Sequence, residues 1–476
     1  MNPMCENRAK LNRVQWAFAG LVFLWCLAGA ALIRVEFCPD EWARRLLSDF
    51  MVKNGVLPVG EEAEIVMENY GFSYAIYPYL ASMLNALCMR IAGIFTGSER
   101  VMLAASRMCS VISIGLCAVH LQKIGNLLFR RRAVATLFAG LTCFLPQVMF
   151  LGMYQNNDAL ALCGIVAVIY SVLAGHRNSW RWTDCIRLGL WTAVTLLSYY
   201  NAYGWLLVCG VAAVASFLSG RKKERKEIFL KWAAILGIIL AAAGWFFIRN
   251  AALHDGDFLG FRTEAADRQR LIEQGWQFKN YRRPSEIPGY TLIQMLTEER
   301  CQYLVACLKS FIGAFGNMDL FMDGWVYFFY YAVLLFAGFC LVWLIFRTRK
   351  TAEEKWFLGG GAAAALITFG LTLYNSYFTD YQPQGRYLIA TAVLMAFAIA
   401  SFVNRLGRGA LPEGGGTPAD RAEAPAASGA AASGAVADST GGTASGRVLR
   451  ISWIALLVWV GMFGFVFART MSKMFF

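Results

Sequence analysis

This sequence contains few of the residues that keep a soluble protein in water, because charged residues make up only 16% of its 476 positions. Hydrophobic residues make up 58%, mostly in long runs separated by short basic clusters. That balance predicts an integral membrane protein. The net charge of +13 resides in the clusters between apolar runs, a pattern typical of cytoplasmic loops, which argues against nucleic-acid binding.

Motifs for a zinc site are also missing. The three histidines form neither an HxH nor an HxxxH pattern, and the thirteen cysteines include no CxxC pair. Most of these cysteines lie in apolar runs, where a thiol behaves as a small hydrophobic group. A histidine-built zinc site is therefore not expected. Cys38, Cys301 and Cys307 fall in segments predicted to lie outside the membrane, where the spacing permits a disulfide without requiring one.

Apolar runs of spanning length, combined with the rule that basic loops face the cytoplasm, predict an all-α polytopic fold with about eleven transmembrane helices. The predicted spans are residues 14–35, 101–121, 133–153, 159–174, 188–200, 203–219, 231–249, 325–346, 357–376, 387–403 and 451–469. The first run is longer than the core of a signal peptide, so we predict an uncleaved first span with the N-terminus inside. The C-terminus is then outside, and 36–100 and 250–324 are outer loops.

Residues 73–95 are apolar enough to cross the membrane, but a crossing there would place the basic run Arg130–Arg132 outside. We therefore predict that this segment lies along the membrane as an interfacial or re-entrant hairpin. Residues 404–450 are rich in Ala, Gly and Ser and predict a disordered cytoplasmic linker. It would join a transmembrane catalytic domain, 1–403, to a final helix with a short tail, 451–476.

Acidic residues occur where predicted spans end at the outer face. Asp40 and Glu41 follow the first span, and Asp158 follows the third. Transfer of a sugar from a lipid phosphate to a hydroxyl group needs a carboxylate that accepts the hydroxyl proton. These three residues are the candidate catalytic groups. An acid at such a boundary can also be a solvated surface residue, and for Asp158 alone that interpretation is the favoured one.

The same transfer needs a cation that holds the departing phosphate. Arg386 opens the tenth predicted span, and Arg249 closes the seventh. Arg386 is the stronger candidate, because the glycine before it allows close backbone approach and arginine bonds phosphate in a bidentate manner. Either arginine could instead extend toward lipid headgroups. The remaining residues of the predicted substrate-binding set are Gln384, Tyr387, Asn157 and Arg44.

A divalent cation is compatible with the same acids. Asp40 and Asp158 would supply the hard oxygen ligands that Mg²⁺ or Mn²⁺ prefers, and such an ion would neutralise a phosphate leaving group. The sequence does not decide whether a metal takes part.

Five short motifs occur in order along the chain. They are Pro39–Glu41, Asn156–Leu160, Arg249–Asn250 with Gly256–Asp257 and Leu259–Gly260, Lys309–Gly316, and Gln384–Leu388. Together they resemble a family of bacterial polytopic proteins that are described as predicted membrane proteins and placed in the GT-C class of glycosyltransferases. That family commonly reads Pro-Asp-Glu-x-x-His, and Arg44 stands at the histidine position here, so any role of that histidine is altered in this chain.

The resemblance implies an architecture like that of protein O-mannosyltransferases and aminoarabinose transferases, with helices along the membrane in the first outer loop. It also implies a polyprenyl-phosphate sugar donor, and Asp40 as the counterpart of the essential aspartate. We therefore predict an inverting glycosyltransferase that acts on a cell-envelope glycan, lipid or protein at the outer face of a bacterial cytoplasmic membrane.

Two alternatives remain open from the sequence. A polysaccharide polymerase would use a lipid-linked oligosaccharide in place of a single lipid-linked sugar. A lipid or glycan transporter would place ionisable residues near the middle of the membrane, where Arg107 is the main candidate.

Overall fold

The protein is built almost entirely of α-helices. A computed structural model describes residues 10–68, 70–218, 225–275, 283–406 and 439–475. Within these ranges the extended structure is one short antiparallel hairpin of β1 (Ala314–Phe315) and β2 (Leu320–Phe321). The predicted all-α fold class is therefore confirmed.

The helices of the first half are α1 (Arg13–Leu32), α2 (Glu41–Asn54), α3 (Leu80–Phe95), α4 (Glu99–Ser106), α5 (Met108–Leu128), α6 (Arg132–Cys143), α7 (Pro146–Leu151), α8 (Asp158–Arg177) and α9 (Trp182–Leu196). Those of the second half are α10 (Tyr203–Leu218), α11 (Arg225–Ile239), α12 (Trp245–Leu253), α13 (Phe261–Glu273), α14 (Leu292–Ile312), α15 (Gly324–Arg347), α16 (Ala352–Phe378), α17 (Thr391–Leu406) and α18 (Ser439–Arg469). A π-helical turn, Leu240–Gly244, joins α11 to α12.

Seven helical segments of the described chain are long and apolar enough to cross a membrane. They are α1, α5, α8, the continuous α11–α12 segment, α15, α16 and the apolar part of α18. The other four predicted spans fall on shorter helices, namely α6, α9, α10 and α17. Helix α6 is short because Pro146, which lacks an amide hydrogen, starts a new helix at its first position.

Residues 73–95 do not form the hairpin that the charge pattern predicts. They form a 3₁₀ turn, Tyr74–Ile76, and then one straight helix, α3. Pro78 accounts for the break between them, because the residue before a proline is driven out of helical geometry. Helix α3 packs against α2, where the Ser48 hydroxyl donates to the carbonyl of Ser82. The predicted first outer loop, 36–100, thus contains α2, α3 and the start of α4, which ends at Ser106 inside the predicted span 101–121.

The core is formed where α1, α5, α6, α8 and α17 pack together. Helix α1 contributes Val22, Cys26 and Ala30, which are completely buried. Small residues let the helices approach closely, as at Gly152, whose position leaves no room for a Cβ beside Cys26. A first helix with this much buried surface is an integral part of the bundle.

The dense basic loops of the described chain collect at one end of the bundle. Arg177, the last residue of α8, donates to Glu353 at 2.5 and 2.6 Å, and Arg405, at the end of α17, donates to Glu354 at 2.8 Å. At the other end, the C-terminal Phe475 pairs with Ile33, next to the last turn of α1. The helical bundle therefore has one strongly basic end, and α1 terminates at the opposite end.

The predicted linker lies largely outside the described residues, which omit 407–438. Helix α18 begins at Ser439, inside the segment predicted to be disordered. Cys38, Cys301 and Cys307 are free thiols, so none of them forms the disulfide that the sequence permitted.

Candidate active site

The site begins at Asp40, between the end of α1 and the start of α2. Asp40 occupies the N-cap position of α2 with φ 57°, in the left-handed region. Asp adopts this conformation more readily than most residues, since its short polar side chain can bond locally. Its Oδ2 accepts a hydrogen bond from Nη2 of Arg386 at 3.0 Å. Two residues at opposite ends of the sequence thus form an ion pair.

Helix α14, which precedes the β1–β2 hairpin, packs against the turn that contains Arg386. Arg386 lies in a 3₁₀ turn, Gly385–Leu388, and its side chain is buried. The Gly385 amide donates to the Ser310 hydroxyl of α14 at 2.7 Å. A Cβ at Gly385 would overlap the carbonyl oxygen of Cys307 and lie 2.5 Å from the amide of Phe311. The glycine thus allows the close backbone approach that the sequence predicts, and the backbone that approaches it is that of α14.

A second acid and a second arginine complete the cluster. Asp158 is the first residue of α8, where the helix dipole favours a negative charge, and Arg44 lies in α2; both are buried. Burial acts to raise the pKa of Asp40, but the charges of Arg386 and Arg44 outweigh it and hold that pKa below its usual value. The same two arginines and Asp40 act electrostatically on Asp158. The structure therefore brings Asp40, Asp158, Arg44 and Arg386 into one site.

Aromatic rings surround this cluster. The guanidinium carbon of Arg44 lies 4.9 Å from the ring centroid of Tyr74 and 5.8 Å from that of Tyr199. The Arg386 guanidinium carbon lies 5.5 Å from the ring of Tyr387. Cation–π contacts of this kind fix both guanidinium groups while leaving N–H donors for a ligand.

Three buried polar atoms at or beside Arg386 have no hydrogen-bond partner within the described chain. They are Nε of Arg386, the hydroxyl of Tyr154 and Oε1 of Gln384. Burial raises the pKa of Tyr154, and the nearby Arg386 only partly offsets that effect, so Tyr154 keeps its hydroxyl proton near neutral pH. Because buried polar groups are normally bonded, these atoms indicate a place where a polar ligand would bind.

Glu41, although it is adjacent to Asp40, belongs to a different ion pair. Its Oε1 and Oε2 accept from Nε and Nη2 of Arg107 at 2.8 and 2.6 Å, and both side chains are completely buried. Oε1 also accepts a hydrogen bond from the backbone amide of Gln155 at 2.7 Å. Arg107 donates in addition to the carbonyls of Ala30 and Ile33 at 2.8 and 2.6 Å. Glu41 is fully engaged in joining helices, which leaves its predicted catalytic role without structural support.

Arg249 and Asn157 bond the backbone of the segment between α2 and α3. Nη2 of Arg249 donates to the carbonyls of Leu57 and Pro58 at 3.2 and 2.9 Å. Nδ2 of Asn157 donates to the carbonyl of Pro78 at 3.2 Å. These bonds support the loop that carries Tyr74, and neither residue contacts Asp40 through a bond in the described chain.

The acids at this site are poorly suited to a divalent cation. No group of three His, Cys, Asp or Glu residues with metal-binding geometry occurs in the described ranges. Asp40 already shares its Oδ2 with Arg386, and two guanidinium groups act on both acids. Mg²⁺ and Mn²⁺ need several oxygen ligands, which this charge-balanced cluster does not offer. The residues present therefore do not fit the Mg²⁺ or Mn²⁺ ion that the sequence left undecided.

Sequence reasoning missed several residues of the site. Tyr74, Tyr154 and Tyr199 contact or neighbour the arginines, and Ser310 positions Gly385. Tyr154 lies in the short polar interruption between the predicted spans 133–153 and 159–174, which is the signal that could have identified it, whereas Tyr74 and Tyr199 lie in apolar segments that carry no such signal. No comparable signal links Ser310 to Gly385, because the contact depends on packing between distant segments.

The helical bundle is similar in fold to membrane proteins of the GT-C type, and its acid–arginine cluster lies at the ends of the apolar helices. The chain belongs to the family described as "Predicted membrane protein (DUF2142)", whose model matches residues 63–395. That match contains Asp158, Arg249 and Arg386 and begins after Asp40.

The chain is also similar to solved structures. ArnT from Cupriavidus metallidurans, solved with undecaprenyl phosphate, is similar to this chain with a TM-score of 0.51 and 12% identity, over 82% of this chain and 60% of ArnT. The oligosaccharyltransferase AglB from Archaeoglobus fulgidus, in complex with an inhibitory peptide and a dolichol-phosphate, gives 0.46 and 12% over 95% of this chain and 55% of AglB. The chain thus spans about three fifths of ArnT and just over half of AglB. No curated protein matches it in sequence.

Proposed function

We propose that the protein is an inverting glycosyltransferase that moves a sugar from a polyprenyl-phosphate donor to an acceptor hydroxyl group. The observation that carries this proposal is the ion pair between Asp40 and Arg386, with Arg44 and Asp158 in the same site. One carboxylate beside a buried arginine supplies both the base and the phosphate-binding cation that the reaction needs. The GT-C fold supports the assignment.

The ion pair represents the resting state of the site. The donor phosphate is a diester with one negative charge, and it can bond a guanidinium through two oxygens where Asp40 uses one, so it would compete with Asp40 for Arg386. The unpaired Nε of Arg386 and hydroxyl of Tyr154 are further donors available to the same phosphate. Donor binding would release Asp40 from Arg386 and raise its pKa toward the ordinary value, which makes Asp40 a stronger base at the moment it is needed.

The chemical step then follows directly. The acceptor oxygen forms a bond to the anomeric carbon from the face opposite the phosphate, and its proton passes to Asp40. The bond between the anomeric carbon and the phosphate oxygen breaks, and both of its electrons leave with the lipid phosphate. Arg386 stabilises that charge, with Arg44 nearby, so the arginines perform the role that a metal ion has in other transferases.

We place the site at the outer face of a bacterial cytoplasmic membrane. The support is the separation of charge along the bundle, since the basic loops lie at the end opposite to Asp40. Basic loops are retained in the cytoplasm, which leaves Asp40 on the outer side. A cell-envelope glycan, lipid or protein would then be the acceptor.

The transporter alternative loses its main residue. Arg107 was the candidate for a charge in mid-membrane, but Glu41 neutralises it in a fully buried pair and two backbone carbonyls bond it as well. A polymerase that uses a lipid-linked oligosaccharide would need the same base and the same phosphate site, so donor size is what distinguishes it from our proposal.

The direct test is sugar transfer in proteoliposomes from a panel of radiolabelled polyprenyl-phosphate sugars. Asp40→Asn preserves side-chain size, so we expect a folded protein whose transfer rate falls by about 10²- to 10⁴-fold, the usual contribution of a general base. Arg386→Lys keeps the charge but not the bidentate geometry, and we expect weaker donor binding and slower transfer. Equal transfer by wild type and Asp40→Asn would refute the assignment of the base.

Glu41→Gln is the matched control. It makes the same change in the neighbouring residue, but it leaves Arg107 buried without a counter-charge, so we expect less folded protein in place of a folded and inactive one. Transfer from lipid-linked oligosaccharides alone, with none from single lipid-linked sugars, would favour the polymerase.

A further inference from the structure

A second concave site lies at the other end of the helices that carry the candidate active site. Helices α1 and α8 have 20 residues each, and α5 has 21. At 1.5 Å per residue each is about 30 Å long, which is the thickness of a bilayer core. The last turn of α1, the start of α5 and the first residue of α8 adjoin the active site. Their opposite ends are therefore at the other membrane face.

A cavity of about 530 Å³ opens among these opposite ends. Five basic residues line it, against one acid, Asp184. The five are Lys10, Lys123, Arg177, Arg181 and Arg187, of which Arg177 is also paired with Glu353 outside the lining. A cleft lined by one sign of charge concentrates the electric field and attracts ions of the other sign. The ligand that suits this cavity is an anion.

Two of the cations are oriented by one aromatic ring. Nζ of Lys123 lies 5.4 Å from the ring centroid of Tyr170, and the guanidinium carbon of Arg187 lies 4.9 Å from it. Arg187 also donates to Asp184 at 2.6 Å. In the described part of the chain no carboxylate lies within salt-bridge distance of Lys123, so its charge is available to a ligand. The ring keeps two like charges together without neutralising them.

One part of the cavity wall is apolar and includes a tryptophan. Leu11, Trp16, Leu127 and Ala174 form this part, and Trp16 is 56% exposed. Tryptophan is enriched where a membrane meets water, and basic pockets between transmembrane helices bind anionic headgroups. An apolar wall beside clustered cations matches a ligand that carries both a phosphate and hydrocarbon.

We propose that this cavity binds a phosphate-bearing anion, with the headgroup of an anionic lipid as the source that the apolar wall favours. The site is separate from the glycosyltransferase site and does not depend on the function proposed for it. The bound lipid would hold α1, α5, α8 and α9 together at the face opposite to Asp40.

The test measures lipid binding to the full-length protein in detergent by native mass spectrometry. Phosphatidylglycerol and phosphatidylcholine are titrated in parallel, because they share the phosphate and the chains but differ in net charge. We expect tighter binding of phosphatidylglycerol to wild type. We expect about a fivefold loss of affinity in Lys123→Gln and a further loss of similar size in the double variant with Arg187→Gln.

Arg130→Gln is the matched control. Arg130 is exposed just after the end of α5, so this change removes the same charge from the same face outside the cavity. An equal loss in Arg130→Gln and Lys123→Gln, or equal binding of the two lipids to wild type, would overturn the proposal. Lys123→Gln breaks no ion pair, so the test stands even where Arg187→Gln destabilises α9.

Inorganic phosphate identifies the source of the anion. If millimolar phosphate displaces phosphatidylglycerol from wild type, free phosphate suffices and the apolar wall is dispensable. If phosphate does not displace the lipid, while the variants still weaken its binding, the ligand is the lipid. Unchanged lipid affinity in the double variant would contradict both versions.

Discussion

Two carboxylates that are adjacent in the sequence belong to two different kinds of ion pair. Glu41 and Arg107 are completely buried, bond each other twice, and have further bonds to backbone groups on both sides. Asp40 makes one bond to Arg386, is about one third exposed, and lies next to buried polar atoms that have no partner. The Glu41–Arg107 pair finds its hydrogen-bond partners within the protein, whereas the Asp40–Arg386 pair lies beside polar atoms that have none in the described chain.

The difference indicates which pair stabilises the fold and which one binds a ligand. A fully bonded ion pair without access to solvent can stabilise helix contacts, but no substrate reaches it. An exposed acid in a left-handed conformation, beside unsatisfied donors, has the features of a functional site. Asp40 occupies the N-cap position of α2, and Glu41 is the first residue of that helix. The ligand-binding role and the structural role therefore belong to consecutive residues.

The largest effect is expected from breaking the enclosed pair. Arg107→Ala leaves Glu41 buried without its partner, and loss of one member of a buried pair destabilises a protein by about 3–5 kcal/mol. We expect little monodisperse protein after solubilisation. The double variant Arg107→Met with Glu41→Leu removes both charges and should recover part of the yield. A single variant with wild-type yield and thermal midpoint would show that the pair is not structural.

A smaller effect is expected from disturbing the open pair without changing its charges. Gly385→Ala places a methyl group against α14, and such overpacking costs about 1–3 kcal/mol. We expect folded protein with reduced transfer, because the turn that holds Arg386 must shift. Gly359→Ala is the matched control, since that position in α16 has open space for a Cβ. Equal transfer by the two variants would show that the position of Arg386 is not critical.

The smallest effect concerns pH. The pKa of Asp40 is lower in the folded protein than in the unfolded chain, so its pair with Arg386 stabilises the fold above the unfolded pKa of about 3.9. This contribution disappears as the pH falls through the lower, folded value. The thermal midpoint of wild type should thus exceed that of Asp40→Asn at neutral pH, and the gap should narrow as the pH falls below about 3.9. A gap as large at pH 3 as at neutral pH would contradict the lowered pKa.

Much of the site could be predicted because it lies at the ends of apolar runs. Asp40, Asp158 and Arg386 each stand where a predicted span meets the same outer face, and groups at one face of a bundle are brought close together. Arg44 was predicted from its place in a family motif. The structure adds Tyr74 and Tyr199 as the rings that hold it.

Other features depend on contacts that no local pattern reveals. Arg107 reaches Glu41 across 66 positions of sequence, and Gly385 packs on α14 across a comparable distance. The distribution of basic loops constrains only how many times the chain crosses the membrane, so it could not show that residues 80–95 form helix α3 and not a hairpin. A segment that returns to its starting face and a helix that stays there give the same count.

The sequence by itself determined that this protein lies in a membrane, where its long apolar helices are and how its basic loops are separated from its acidic residues. It could do so because hydrophobicity and charge are properties of single residues and short runs. The tertiary structure alone decided which of the acids at positions 40 and 41 is enclosed and which is accessible. The reason is physical: the cost of burying a charge depends on the partners that packing brings to it, and those partners come from distant helices.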